Sequence, residues 1–153
     1  MRNLTRIALF LVAVTPVSAG AQMSDMKMPM DAKSAQTRQA YTTNHEFLVR
    51  LVSVPSPIPY EKYFTVKLEV YDGGEPPVKM PDAQVSVVAG MRHGMKTGFA
   101  HGMQSAPKVA EKNGVVIVSG MYFHMQGPWT LQTTVKNGSK EGVAYLTLPC
   151  CGQ

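Results

Sequence analysis

Residues 63–71, which read YFTVKLEVY, decide the fold class of this chain. Apolar and polar side chains alternate along the stretch. The apolar set is Phe64, Val66, Leu68 and Val70. Because neighbouring side chains of a strand point to opposite faces, this alternation predicts an antiparallel strand with one buried side and one solvent-facing side.

Other stretches on both sides of this strand also have the composition of short strands. They are residues 44–54, 83–89, 115–125, 129–135 and 142–148. Turn signals separate them, including Asn113-Gly114 and Asn137-Gly138. Short strands at this spacing, with almost no helical periodicity, predict an all-β fold: a single immunoglobulin-like antiparallel β-sandwich of about seven strands.

The first residues have the pattern of an export signal. Arg2 and Arg6 flank the start of an apolar run over residues 7–14, and the small residues Ala19-Gly20-Ala21 follow it. The run is shorter than the roughly 20 residues needed to span a bilayer. We therefore predict a cleaved signal peptide at 1–21, a periplasmic or secreted protein, and no membrane span after cleavage.

The mature chain divides into three further segments. Residues 22–43 are predicted to be a flexible, methionine-rich segment, 44–149 the β-sandwich domain, and 150–153 a Cys-Cys tail. The methionine-rich segment would either capture Cu(I) weakly or act as a linker. Cys150 and Cys151 would be a soft metal ligand pair, a link to another chain, or a pair without a role.

The charge of the chain argues against a nucleic-acid partner. The formal net charge is +5, and it becomes +3 when the two arginines of the predicted signal are removed. The remaining lysines and arginines are scattered along the sequence, whereas nucleic-acid binding requires a basic patch or stripe.

Histidine and methionine concentrate between residues 91 and 129. This region holds three of the four histidines, and the tripeptide His-Gly-Met occurs in it twice, at 93–95 and at 101–103. Glycine between the two side chains allows both to reach one ion. Imidazole nitrogen and thioether sulfur together suit copper, and thioether favours Cu(I). The predicted metal ligands are His93, Met95, His101, Met103 and His124.

The sequence shows no catalytic arrangement. The serines lack a nucleophile elbow, the two cysteines are far along the chain from any histidine, and the acidic residues form no evident acid–base pair. The histidines, methionines and cysteines also lack the order of a blue-copper site. We therefore expect that the protein is not an enzyme.

Residues 120–129, GMYFHMQGPW, resemble the end of the FixH/YtkA-like family of small exported or membrane-anchored domains. The upstream 101–103 repeat followed by Pro107 is similar to a pattern in some members. The resemblance covers roughly residues 47–148. It implies an immunoglobulin-like sandwich linked to copper trafficking or to assembly of copper-containing respiratory oxidases, with His93, His101, Met103 and His124 as candidate ligands. The chain departs from the family in its Cys-Cys pair, its methionine-rich start and the predicted cleavage of its signal.

Two functions follow as expectations from this pattern. The first is an exported copper-binding protein that holds copper, with Cu(I) favoured, and passes it to another envelope protein or sequesters it. The second is a metal-free module of the same fold that binds another envelope protein through an edge strand or a loop. A soluble accessory domain that binds a substrate is a third interpretation.

Overall fold

The computed structural model describes residues 36–92 and 98–151. The predicted signal peptide, the predicted methionine-rich segment up to residue 35, and the predicted ligands His93 and Met95 lie outside the described residues. The strands of the described part are β1 (Gln39–Tyr41), β2 (Phe47–Ser53), β3 (Tyr63–Asp72), β4 (Gln84–Met91), β5 (His101–Gly102), β6 (Lys108–Lys112), β7 (Val115–Tyr122), β8 (Gly127–Asn137) and β9 (Lys140–Cys150). In these ranges we find no helix long and apolar enough to cross a membrane.

The strands form two antiparallel sheets. The first sheet has the order β1-β2-β3-β7-β6, and the second has the order β5-β4-β8-β9. Within them, β2-β3-β7-β6 and β4-β8-β9 follow the A-B-E-D and C-F-G orders of an immunoglobulin-type sandwich. The predicted all-β antiparallel sandwich is confirmed.

The core lies between the two sheets and is centred on aromatic contacts. The predicted inward set of β3 is buried, with Val66 and Leu68 fully so. Phe123, which follows β7, stacks on Trp129 of β8 with ring centroids 4.2 Å apart, and it meets Phe64 of β3 edge-on at 5.0 Å. Because these rings come from both sheets, their burial holds the sheets together.

The strand count differs from the prediction: the described residues contain nine strands, not about seven. Three of them, β1, β5 and β6, lie outside the six stretches predicted as strands. Strands β1 and β5 are three and two residues long, too short to show a period. Strand β6 is an edge strand with all five side chains exposed, so it has no apolar alternation to reveal it.

The sequence predicted a sandwich domain that starts at Asn44. In the structure, the first strand of the sandwich comes earlier in the chain. Thr42 is buried, and its hydroxyl accepts a hydrogen bond from the Phe47 N–H at 3.1 Å and donates one to Asn44 Oδ1 at 2.8 Å. Upstream, the Thr37 N–H donates to the Thr147 carbonyl of β9 at 3.0 Å. The segment before β2 therefore bonds to both sheets and closes one side of the sandwich.

The outer face of the first sheet carries an ion-pair network. Lys79 Nζ lies 2.7 Å from Glu69 Oε1, and the Tyr71 hydroxyl donates to Glu69 Oε2 at 2.7 Å. The Lys79 hydrogen bond, together with that from Tyr71, lowers the pKa of Glu69 below its ordinary value. Arg50 lies over the Tyr71 ring at 4.6 Å. This network joins side chains of β2 and β3 to Lys79.

Candidate metal site

One end of the sandwich gathers the histidine and methionine side chains, and we call it the His/Met end. Strand β4 ends there at Met91, β5 holds His101, and Met103 follows β5 directly. His124 lies in the loop between β7 and β8, which leaves from the same end. The fourth histidine, His45, lies in the turn before β2 at the opposite end.

The second His-Gly-Met repeat is fixed to the edge of the second sheet. His101 is the register partner of Met91, and the Met103 N–H donates to the Ala89 carbonyl at 3.2 Å. Directly opposed residues of an antiparallel pair share a face, with Cβ atoms about 4.5–5.5 Å apart. The backbone pairing therefore places His101 and Met91 on one face of the β4–β5 pair.

Gly90 is needed for this pairing because its neighbours leave no room for a side chain. A Cβ at Gly90 would lie 2.4 Å from Phe99 Cγ and 2.7 Å from the His101 carbonyl oxygen. Phe99 thus packs directly on the backbone of β4. The close approach brings the segment before β5 onto the end of the sheet.

Met103 links the two sheets at this end. Its side chain is partly buried against the core, and its sulfur accepts a hydrogen bond from the Tyr122 N–H at 3.5 Å. Tyr122 is the last residue of β7 in the first sheet. The Met103 thioether, which follows a strand of the second sheet, is therefore bonded to a residue of the first sheet. That residue, Tyr122, stands two positions before His124 in the chain.

His124 has a buried ring nitrogen without a hydrogen-bond partner among the described residues. Its ring meets Trp129 edge-on with centroids 5.5 Å apart, and its Nδ1 is inaccessible to solvent. Trp129 is itself satisfied, because its Nε1–H donates to the Met125 carbonyl at 2.9 Å. Burying a polar atom without a partner costs about 1–3 kcal/mol. A bound ligand at Nδ1 would remove that cost.

The donor atoms of the side chains at the His/Met end bear on the kind of metal that this end could hold. Within residues 36–92 and 98–151, no three His, Cys, Asp or Glu side chains form a group that could hold a metal ion. The donors described at the His/Met end include the imidazoles of His101 and His124 and the thioethers of Met91 and Met103. Imidazole with thioether suits copper, whereas Mg²⁺ and Ca²⁺ require oxygen ligands.

The structure brings some of the predicted ligands to one end and leaves others outside its description. His101, Met103 and His124 all lie at the His/Met end, whereas His93 and Met95 fall outside the described residues and stay predictions. Met91, which is the register partner of His101, is not among the predicted ligands. The signal that could have identified it is its position at the end of a strand, next to the first His-Gly-Met repeat.

Comparison of the chain with family models, curated proteins and solved structures finds no match. The resemblance of residues 120–129 to the FixH/YtkA-like family therefore stays a prediction.

Proposed function

We propose that this protein is an exported copper-binding protein that holds copper reversibly at its His/Met end, for trafficking, oxidase assembly or tolerance. The proposal rests on the Nδ1 of His124, which is buried without a hydrogen-bond partner among the described residues, and on the Met103 thioether, which accepts a hydrogen bond from Tyr122, two residues before His124. The signal-like pattern of the first residues supports the exported location.

The ligands would come from separate elements that the fold has already positioned. Met103 is held by its contact with the Tyr122 N–H, and the His124 ring is held against Trp129. His101 and Met91 add a second imidazole and thioether on one face of the β4–β5 pair. Because the fold already orders these side chains, metal binding would lose less conformational entropy.

Release of the metal would occur by ligand exchange. Thioethers and neutral imidazoles bind Cu(I) without adding negative charge, so the complex keeps the charge of the ion. His101 is exposed on β5, an edge strand of the second sheet. A partner with thiolate ligands could then take the ion in steps.

The test is an anaerobic titration of the purified protein with Cu(I) against a chromophoric chelator. We expect wild type to bind one Cu(I), and His124→Asn or Met103→Leu to weaken binding at least roughly tenfold. His45→Asn and Met121→Leu are the matched controls. His45 is remote and has a positive φ of 57°, which asparagine tolerates, and Met121 is fully buried in the core.

The controls decide how the titration is interpreted. They should bind Cu(I) as wild type does, because neither side chain lies among the proposed ligands. Equal affinity of wild type, His124→Asn and Met103→Leu would contradict the proposal. Equal losses in variants and controls would also contradict it, because the effect would then not depend on these two ligands.

A metal-free interaction module is the second candidate function, and an exposed aromatic pair favours it. Tyr63 is 73% exposed and contacts Tyr122, with ring centroids 5.1 Å apart. Tyr60 is exposed in the preceding loop. Aromatic side chains of this kind are enriched at protein interfaces. Under this function, Tyr63→Ser would abolish binding to an envelope partner, whereas His124→Asn would leave it unchanged.

A further inference from the structure

The two adjacent cysteines belong to the sandwich and not to a tail beyond it. Cys150 is the last residue of β9 and is buried, and Cys151 is partly buried against the same core. The two residues are joined by a vicinal disulfide. β9 continues through Pro149, so the pair sits where β8 begins.

The strand register places Cys150 beside a methionine of the His/Met end. Cys150 is the register partner of Gly127, the first residue of β8. A Cβ built on Gly127 would lie 2.8 Å from the Met91 methyl carbon, so the Met91 side chain fills the space that Gly127 leaves. Opposed Cβ positions in an antiparallel pair are about 4.5–5.5 Å apart. The Met91 and Cys150 side chains therefore both lie next to the position of Gly127.

We propose that Cys150 and Cys151 form a redox-controlled part of the copper site: reduced, they add two thiol ligands at the His/Met end, and oxidised, they withhold them. This inference rests on the proposed function. A disulfide sulfur is a poor metal ligand, whereas a thiolate is a strong soft ligand for Cu(I). Reduction would therefore raise the affinity of the site for Cu(I).

The reaction is a thiol–disulfide exchange with a dithiol reductant. One thiolate of the reductant attacks the sulfur of Cys151, the more exposed residue, and the Cys150 sulfur leaves as a thiolate that takes up a proton or the metal. The second thiol of the reductant then attacks the mixed disulfide and releases the Cys151 thiolate. Two electrons pass to the cysteine pair, and the reductant becomes a disulfide.

The experiment compares the Cu(I) affinity of the oxidised protein with that of protein reduced by a phosphine, which is then removed anaerobically. We expect reduction to raise the affinity at least roughly tenfold. In Cys151→Ser, which cannot form the disulfide, phosphine treatment should cause no change. A second variant, Met91→Leu, should reduce the gain without preventing disulfide formation, because it removes the neighbouring thioether.

Failure of this inference is distinguishable from failure of the proposed function. Equal affinity of the oxidised and reduced wild type would overturn the role of the cysteines, even if His124→Asn still weakens binding by the oxidised protein. A gain on reduction that is the same size in Met91→Leu would overturn the shared site, because the thiols would then bind copper separately. If His124→Asn has no effect on the oxidised protein, the proposed function itself fails.

Discussion

The substitution Gly90→Ala should detach β5 from the second sheet while leaving the core intact. The added methyl would lie 2.4 Å from Phe99 Cγ and 2.7 Å from the His101 carbonyl oxygen, whereas ordinary contact begins at 3.4 Å. Phe99 can rotate away, but the carbonyl belongs to the backbone of β5. The strand must therefore shift for the methyl to fit.

Two free energies decide how the protein responds to this clash. Keeping β5 in place would strain the packing by about 1–3 kcal/mol. Releasing it gives up the hydrogen bonds from the Ala100 N–H to the Met91 carbonyl, 2.9 Å, and from the Met103 N–H to the Ala89 carbonyl, 3.2 Å. At about 1 kcal/mol each, those two bonds contribute about 2 kcal/mol, in addition to the ladder bonds within the β4–β5 pair. Because β5 is an exposed edge, we expect release.

Gly102 supplies the matched control, because it is the register partner of Gly90 and has room for a methyl group. The nearest atom to a Cβ at Gly102 is the Ala89 carbonyl oxygen at 3.9 Å. Amide hydrogen exchange should show faster exchange at Met103 in Gly90→Ala, by up to roughly 30-fold for 2 kcal/mol. Gly102→Ala should exchange as wild type does. Indistinguishable exchange in the two variants would refute the close approach of β5 to β4.

Three further outcomes follow from the core, the ion pair and the site. Phe123→Ala should lower the free energy of unfolding by about 3–5 kcal/mol in urea followed by circular dichroism, because the ring is fully buried between the sheets; a loss below about 1 kcal/mol would contradict the packing. Glu69→Gln should lower the free energy of unfolding by about 0.5–1 kcal/mol at pH 7. The difference from wild type should vanish as the pH falls through the lowered pKa of Glu69, because protonation ends its pairing with Lys79. A difference that persists at low pH would contradict the pairing. Cu(I) should change the fluorescence of Trp129, whose ring centroid lies 5.5 Å from that of His124, and His124→Asn should abolish the change; an equal change in that variant would place the ion elsewhere.

Local patterns in the sequence were sufficient to predict the fold class. The alternation from Phe64 to Val70 identified β3 and its buried face, since burial of one side of a sheet imposes a period of two. Asn113-Gly114 correctly indicated the turn before β7, and both residues have the positive φ typical of such a turn. These features depend only on near neighbours in the chain.

Features that depend on distant pairing could not be predicted in the same way. The packing of β5 on Met91 requires two strands to meet across a loop, and β5 is too short to show a period. The last strand was predicted over residues 142–148, before Pro149, whereas β9 continues to Cys150. Proline is tolerated there because β9 is an edge strand of the second sheet. Only the strand register therefore shows that Cys150 and Met91 both lie next to Gly127.

X-ray absorption at the copper edge tests most directly whether the His/Met end holds the ion. The sample would be the Cu(I)-loaded protein with its cysteines oxidised, so that any sulfur ligand must come from methionine. We predict a mixed shell of nitrogen and sulfur that loses sulfur in Met103→Leu and loses nitrogen in His124→Asn. A shell without sulfur, or one that neither variant changes, would contradict the account.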